Sequence, residues 1–239
     1  MQHSILPQLI GAIGEHDFAA VAAHSLGRFL DCDLAAVIVH QPAQHPIVLF
    51  DNFDRIGARD GLANYVGFTH RINPMLAPVP VAGACRACDF AVAEVGGAHV
   101  VMEAEEELGF RTVGWPQRME EIDLYIQAWG GTVELGFYRS RRRSRVSAAR
   151  LRALNELSAP VAAAFDRHAA LTMRNTAEAL SVLSAREREI CELLLAGCSS
   201  HAIALRLDIS RYTVKDHRKA IFRKLRIGSL AELFALRLT

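Results

Sequence analysis

The chain has 239 residues and a mass of 26.3 kDa, with 51% hydrophobic and 22% charged residues; this balance excludes the disordered and fibrous classes and leaves room for one or two domains with real cores. Its apolar runs are far shorter than the ~20 residues of a membrane helix, and the first ten residues lack a basic start followed by a long apolar stretch, so a cytoplasmic protein with no membrane partner is expected. The net charge of +1 hides an asymmetry: residues 184–239 hold 11 Lys and Arg against 6 Asp and Glu, the remainder is at −4, and all three lysines (Lys215, Lys219, Lys224) share one ten-residue stretch, the signature of a small polyanion-binding domain joined to a larger one that does not bind polyanions.

In chain order, Phe18, Val21, Ala22, Leu26, Phe29 and Leu30 recur at helical spacing, with Asp17 as a candidate N-cap. The branched runs Leu34–His40 and Ile47–Phe50, separated by a polar, Pro-bearing segment, predict strand, turn and strand. Asp60–His70 reads as a helix capped by Asp60 that stops before Asn73-Pro74, and a Pro/Gly-rich loop follows to about Asp89. Val100–Gly109 is expected as a helix with Glu105, Glu106 and Glu107 on its wet side, Arg111–Trp115 as a strand, and Glu121–Tyr138 as a strand pair turned at Gly130-Gly131. Ser147 is then expected to cap one long amphipathic helix through Leu151, Leu154, Leu157, Val161 and Phe165. The order predicts an α+β sandwich, an antiparallel sheet with flanking helices, similar to GAF- or PAS-like sensor domains. The expected division is a sensor or dimerisation domain over 1–170, a polar linker over 171–181 and a DNA-binding domain over 182–239.

The last segment has a stricter syntax. Ser184, with Glu187 three residues on, forms a capping box for a helix burying Ile190, Leu193 and Leu194 and stopping at Gly197. Ser199 or Ser200 caps a short second helix to Leu207; Asp208-Ile209-Ser210 turns the chain; Ser210 caps a third helix, Arg211–Leu225, with Val214, the Arg218 stem, Ile221 and Leu225 inward. Its outward residues, Tyr212, Thr213, Lys215, Asp216, His217, Lys219, Arg223 and Lys224, combine hydroxyls at a helix start with cations along its length, the groups needed for phosphates and base edges in a major groove. Ser229 is expected to cap a fourth helix through Leu230, Leu233, Phe234, Leu236 and Leu238, whose surplus apolar surface a second copy would cover, making double-stranded DNA and a homodimer the expected partners.

Leu183-Ser-Ala-Arg-Glu-Arg-Glu-Ile190, Ala196-Gly197-Cys-Ser199, Ile203-Ala204, Leu207, Ile209-Ser210, Thr213-Val214-Lys215, His217, Ile221, Lys224-Leu225 and Ser229 together resemble the four-helix DNA-binding domain of LuxR-type transcription regulators over about a quarter of the chain. The resemblance implies an all-α helix-turn-helix domain in which Lys215, Asp216 and Lys219 face bases while Thr213, His217 and Lys224 face phosphates. A Lys or Asn usual in the family near Ser200 and His201 is replaced, which removes an outer phosphate contact.

Three kinds of input domain precede such a module. A phosphoacceptor receiver needs a lysine, and residues 1–183 contain none. An acyl-homoserine-lactone domain is more similar, through Tyr65, Asn73-Pro74 and Trp115, yet Gly61 stands where that family has Trp and Asn73 where it has its ligand-binding Asp. Asn lacks the charge that strengthens a bond to a ligand amide, so a GAF-like sensor for a different small-molecule effector, or none, fits better. A pocket is expected between the sheet and the Asp60–Met75 segment, with Tyr65, Phe68, His70, Asn73, Trp115 and Trp129 as its lining; the alternative is that the aromatics are core.

The five cysteines form no disulfide framework. Cys191 and Cys198 read as small buried residues, and Cys85-x-x-Cys88 is a weak metal or redox candidate that wants further ligands such as Cys32 and His99, so no cofactor is expected. Arg139, Arg141, Arg142, Arg143, Arg145, Arg150 and Arg152 form a second basic run, read as a solvated face or as pairing with the Glu103–Glu107 surface of a second subunit, with contact to flanking DNA as the further alternative. An enzyme is the rival class, but the chain has no phosphate-binding Gly loop, nucleophile elbow or specific His/acid spacing. A regulator whose first domain only dimerises is the third reading.

Overall fold

The computed structural model describes residues 5–76, 82–229 and 233, and of 175–179 the backbone only. The chain divides into two compact units, Met1–His168 and Ala169–Thr239.

The first unit is an α+β sandwich. It opens with two helices, α1 (Ile5–Ala12) and α2 (Phe18–Leu30), followed by strands β1 (Leu34–His40) and β2 (Ile47–Asp51). Helix α3 (Arg59–Gly67), a tight turn over Thr69–Ile72, β3 (Gly83–Arg86), the short pair β4 (Val100–Met102) and β5 (Phe110–Thr112), and the long strands β6 (Met119–Ala128) and β7 (Gly131–Ser140) follow. Helices α4 (Ala148–Glu156) and α5 (Ser158–Leu180) come next, and the division between the units falls inside α5. Five strands form one antiparallel sheet in the order β2-β1-β7-β6-β3, and β4 pairs with β5 separately.

Strict alternation gives this sheet two unlike faces. Ala35, Val37 and Val39 of β1, Ile122, Leu124 and Ile126 of β6, and Val133, Leu135 and Phe137 of β7 are buried against Leu9, Phe18, Leu26, Leu154 and Phe165 of the helices. The opposite face carries Leu34, Ala36 and Ile38 of β1 under Phe53, Leu62 and Tyr65, and, along β6 and β7, the buried polar side chains Asp123 and Glu134.

Several expectations need correction. Val100–Gly109 is not a helix: β4 turns through residues 103–109 into β5, Gly109 adopts φ +78°, and a Cβ there would sit 2.5 Å from the Val92 carbonyl. Glu107 is buried and accepts the Glu121 N–H at 3.1 Å, so the run of three glutamates is no wet helical face. Asp17 makes no side-chain cap, and Asp60 lies in the first turn of α3 rather than ahead of it. The helix begun at Ser147, whose Oγ accepts the Arg150 N–H, breaks at Leu157. Pro160, with no N–H and a ring that crowds the Glu156 carbonyl, fits only the first turn of a new helix. Residues 171–180 continue α5 where a polar linker was expected. The β6–β7 turn sits one residue earlier than expected, with Trp129 at φ 60° and Gly130 at φ 70°, both left-handed as a two-residue hairpin turn requires; Gly131 belongs to β7, where a Cβ would overlap the His40 carbonyl. Helix α1 had no counterpart in the sequence reading.

The second unit contains α6 (Ala185–Leu195), α7 (Ser200–Leu207) and α8 (Arg211–Leu225) around Leu183, Ile190, Cys191, Leu194, Ile203, Val214, Ile221 and Leu233. Leu193 is only partly buried, as is Cys198. Apart from Leu233, the expected fourth helix lies outside the described residues. Among the described residues no helix is long and apolar enough to cross a membrane.

Candidate nucleic-acid interface and buried cavity

In the first unit a cavity of about 40 Å³ lies between α3, the β4–β5 segment and the polar sheet face, lined by Tyr65, Asn73, Phe110, Trp115, Glu121 and Tyr138 among others. Two of the lining residues, Tyr65 and Asn73, belong to a hydrogen-bonded chain that runs on behind the cavity. The Tyr65 hydroxyl donates to Glu134 Oε2 at 2.8 Å, His40 Nε2 meets the same oxygen at 2.6 Å, and Asn73 Nδ2 donates to the Tyr65 hydroxyl at 2.8 Å. Asn73 Oδ1 accepts the Met75 N–H at 2.9 Å, closing a local turn. Burial, then the charge of Glu134, pushes the Tyr65 phenol well above its ordinary range. Burial raises Glu121 to about 8 and also raises Asp123 well above the usual carboxylate range, each reinforced by the other acids on the same face.

Of the six expected lining residues, Tyr65, Asn73 and Trp115 line this cavity. Phe68 does not: it is 54% exposed and stacks on His99, ring centres 4.0 Å apart. His70 sits outside, its Nδ1 at 3.1 Å from the Tyr65 carbonyl, with burial lowering its pKa. Trp129 packs with the apolar-face core, beside His168. The carboxyl groups were missed, although the alternation Glu121-Ile122-Asp123-Leu124 within an apolar strand places acids on the face opposite the dry core.

The second unit builds a different surface. Ser184 Oγ accepts the Glu187 N–H and Glu187 Oε2 accepts the Ser184 N–H at 2.7 Å, the reciprocal capping box. Ser199 caps α7 through the Ala202 N–H, and Asp208, in the left-handed region at φ 50°, ends it. Ser210 Oγ accepts the Thr213 N–H at 3.0 Å and starts α8, whose Val214 and Ile221 are buried. On the outer side Tyr212 (81% exposed), Lys215, Asp216, Lys219 and Arg223 follow one another at helical spacing as a single exposed row, with Thr213 beside the cap and His217 half-buried. Lys215, Lys219 and Arg223 form no ion pair with a described residue. Arg218 lies over the Phe222 ring at 5.6 Å and reaches Ser200 Oγ at 3.4 Å. Lys224 is drawn inward: its Nζ donates to Glu187 Oε2 at 2.6 Å, and this contact first, the Ser184 N–H second, holds the Glu187 carboxyl down at about 2. Two short helices, a tight turn and a cationic second helix are the helix-turn-helix arrangement.

Residues 181–236 match the sequence profile of the bacterial regulatory proteins of the luxR family. The C-terminal unit is a LuxR-family helix-turn-helix domain. An HTH-type transcriptional regulator of the exeN 3′ region of Aeromonas salmonicida is 56% identical over 54 residues, 23% of this chain and 28% of that protein. The response regulator TodT of Pseudomonas putida is 43% identical over 51 residues, 21% of this chain and 22% of that protein. The chain thus spans about a quarter of the length of the curated relatives it matches. Among solved structures, the VqsR LBD domain of Pseudomonas aeruginosa aligns with a TM-score of 0.49 at 15% identity, over 71% of this chain and 96% of that one. Escherichia coli SdiA aligns with a TM-score of 0.42 at 16% identity, over 98% and 94%.

Outside the LuxR-type domain, four arginines of the second basic run, Arg139, Arg141, Arg143 and Arg145, face groups of their own unit. Arg139 is buried, donates to the Leu30 carbonyl at 3.0 Å and lies near Asp31 and Glu120. Arg143 pairs with Asp33 at 3.1 Å, Arg145 with Glu107 at 3.2 Å, and Arg141 with Glu106 at 3.9 Å. Glu103, Glu106 and Glu107, which one of the sequence readings pairs with the basic run of a second subunit, have arginine partners within the same chain. Cys85 is buried beside Met75, while Cys88 accepts from Arg145 at 3.0 Å, and burial raises both thiols. Among the described residues no three His, Cys, Asp or Glu side chains converge as metal ligands.

Proposed function

We infer that the protein is a sequence-specific transcription regulator that reads double-stranded DNA with α8 of its LuxR-type domain, acting as a homodimer on two half-sites. The observation that carries this reading is the exposed row on α8: cations that form no ion pair with a described residue, on the second helix of a helix-turn-helix, above a hydroxyl-capped helix start. Lys215, Asp216 and Lys219 are assigned to base edges; Tyr212, Thr213, His217 and Arg223 to backbone phosphates. Lys224 has a first duty to Glu187 and contributes to phosphate binding only through its residual field. The two half-sites are expected about 34–36 Å apart, one helical turn of DNA. Selection of binding sequences from a random duplex pool by the purified chain, followed by a salt titration of the selected site, tests this. A palindromic or repeated site with a steep negative dependence of affinity on salt supports it; recovery of no enriched sequence overturns it.

The first unit is assigned as the sensor, with the cavity under α3 as its effector site. A cavity of about 40 Å³ has room for a few waters or a compact head group and none for an acyl chain. Asn73, spent on Met75, Tyr65 and Tyr125, is not free to hold a lactone amide.

A further inference from the structure

Helix α8 has two flanks as well as an exposed row. At about 3.6 residues per turn, Thr213, His217 and Lys224 fall on one side of the row Tyr212, Lys215, Lys219 and Arg223, while Arg211, Arg218 and Phe222 fall on the other, toward α7. A helix with its side chains is about 10–12 Å across and the major groove about 12 Å wide, so a helix lying in the groove sets both flanks against the phosphate backbones that bound it. The first flank has its phosphate groups in Thr213 and His217. The second borders an open groove of about 580 Å³, lined by Ser200 at the start of α7 and by Arg211, Lys215, Arg218, Lys219 and Phe222 of α8 among others, with no carboxylate among the described lining residues.

Within that groove Arg218 is held in place without being neutralised. Its half-buried guanidinium lies over the Phe222 ring, 5.6 Å from the centroid, and its Nη1 reaches Ser200 Oγ at 3.4 Å. It forms no ion pair with a described residue, whereas Arg186 and Lys224 of the same unit are held by Glu189 and Glu187. The contact with Ser200 is long for a hydrogen bond, and a guanidinium carries five N–H donors, so most of its donor capacity is unspent. The ring and the hydroxyl fix the planar fork before a ligand arrives, which lowers the entropic cost of binding. Helix α7 is capped by Ser199 through the Ala202 N–H, so the Ser200 hydroxyl is not needed at the helix start and can donate its proton to an oxygen that the guanidinium also holds. A fork of N–H donors beside an O–H donor, with Arg211, Lys215 and Lys219 on the same groove, fits the two free oxygens of a phosphodiester. In a helix-turn-helix the first helix crosses the DNA backbone, and Ser200 stands on that helix.

We propose that Arg218 and Ser200 clamp one backbone phosphate of the DNA on the α7 side of the major groove, across from the phosphates assigned to Thr213 and His217. The proposal rests on reading α8 as the DNA-reading helix and adds an anchor on the second strand. Fluorescence anisotropy of the full chain on a duplex selected from a random pool, at several salt concentrations, tests it, with far-UV circular dichroism confirming that each variant folds. Arg218→Gln is expected to weaken binding roughly tenfold, by a similar factor on the selected site and on its base-pair variants, and to reduce the slope of log affinity against log salt by about one ion. Arg218→Lys should keep the slope, because the charge stays, and lose part of the affinity with the fork. Ser200→Glu, an acid in the first turn of α7 where the helix dipole favours it, sets a carboxylate against the guanidinium and should weaken binding more than Arg218→Gln does. A folded Arg218→Gln chain with the parental slope overturns the clamp even if its affinity falls, because a purely structural role costs affinity without changing the number of ions released. If Arg218→Gln does not fold, Ser200→Glu decides, and parental affinity and slope in that variant overturn the clamp. Loss of affinity and slope on changing Lys215 and Lys219 to Ala, but not in Arg218→Gln, removes the clamp and leaves α8 as the reading helix; binding unchanged by either overturns the reading of α8 as well.

Discussion

In the first unit Asp123 and Glu134 lie inside, with no described Lys or Arg paired to Asp123; in the second, Glu187 is joined to Lys224 while Lys215, Lys219 and Arg223 of α8 point outward. Both units carry charges where a bland core or a mixed surface would suffice for folding. The direction in which the ionisable groups point separates the two units: the first turns acids inward, where burial keeps them protonated, and the second turns cations outward, an arrangement suited to a polyanion. The acids show the contrast in their protonation, Glu121 raised to about 8 by burial and Glu187 lowered to about 2 by Lys224.

The sharpest way to break the comparison is to remove the outward charge. Lys215→Ala combined with Lys219→Ala is expected to weaken binding to a selected DNA site by about 3 kcal/mol, roughly 100-fold, and to flatten the salt dependence, measured by fluorescence anisotropy at several salt concentrations. An unchanged salt slope would refute the assignment of α8 as the reading helix.

Removing the inward charge should show itself as a pH effect. With its folded value raised to about 8 against an unfolded 4.5, Glu121 holds a proton in the folded chain that the unfolded chain releases over that window, so its contribution lowers stability as pH rises from 4.5 to 8 and is constant above. Asp123, shifted in the same direction by burial, adds to the slope. Both tryptophans lie in the first unit, so their fluorescence during urea unfolding at pH 5, 7 and 9 follows it selectively. Glu121→Gln with Asp123→Asn is expected to flatten the loss between pH 5 and 9.

The capping box gives a smaller effect of opposite sign in pH. Ser184→Ala is expected to cost about 1 kcal/mol in the second unit. Glu187 contributes stability above its unfolded value of 4.5, lost as pH falls toward 2. Helical signal followed through an acid titration should show Glu187→Gln insensitive to that window.

How much of this was legible differs between the units for a physical reason. Capping serines, a positive-φ turn and an inward row at helical spacing are local, so Ser184, Ser199, Ser210, Val214 and Ile221 could be read in place. The strands β1, β2, β6 and β7 were legible from branched residues and the turn. What could not be read was long-range: Glu107 binding the N–H of Glu121 across 14 residues, Arg143 reaching Asp33 across 110, and the burial of Asp123. The wrong helix over 100–109 and the misplacement of Trp129 and Phe68 in the cavity both come from using local spacing where tertiary pairing decides. Two local signals were overlooked: Pro160, and the helical spacing of Ile5, Leu9 and Ala12 in α1.

The second basic run supplies the finest test, because it is as rich in cations as α8 and is assigned no DNA. Arg143 is 41% exposed and reaches Asp33 and the Asp31 carbonyl. An exposed pair of this kind contributes about 0.2–1 kcal/mol, so Arg143→Ala should lower the urea midpoint of the first unit slightly. DNA affinity and its salt slope should remain those of the unmodified chain, because this guanidinium is already spent on acids of its own unit. If Arg143→Ala instead reduced the salt slope by about one ion, as loss of a phosphate contact does, both basic segments would touch DNA. The separation between an inward-charged sensor and an outward-charged reader would then no longer hold.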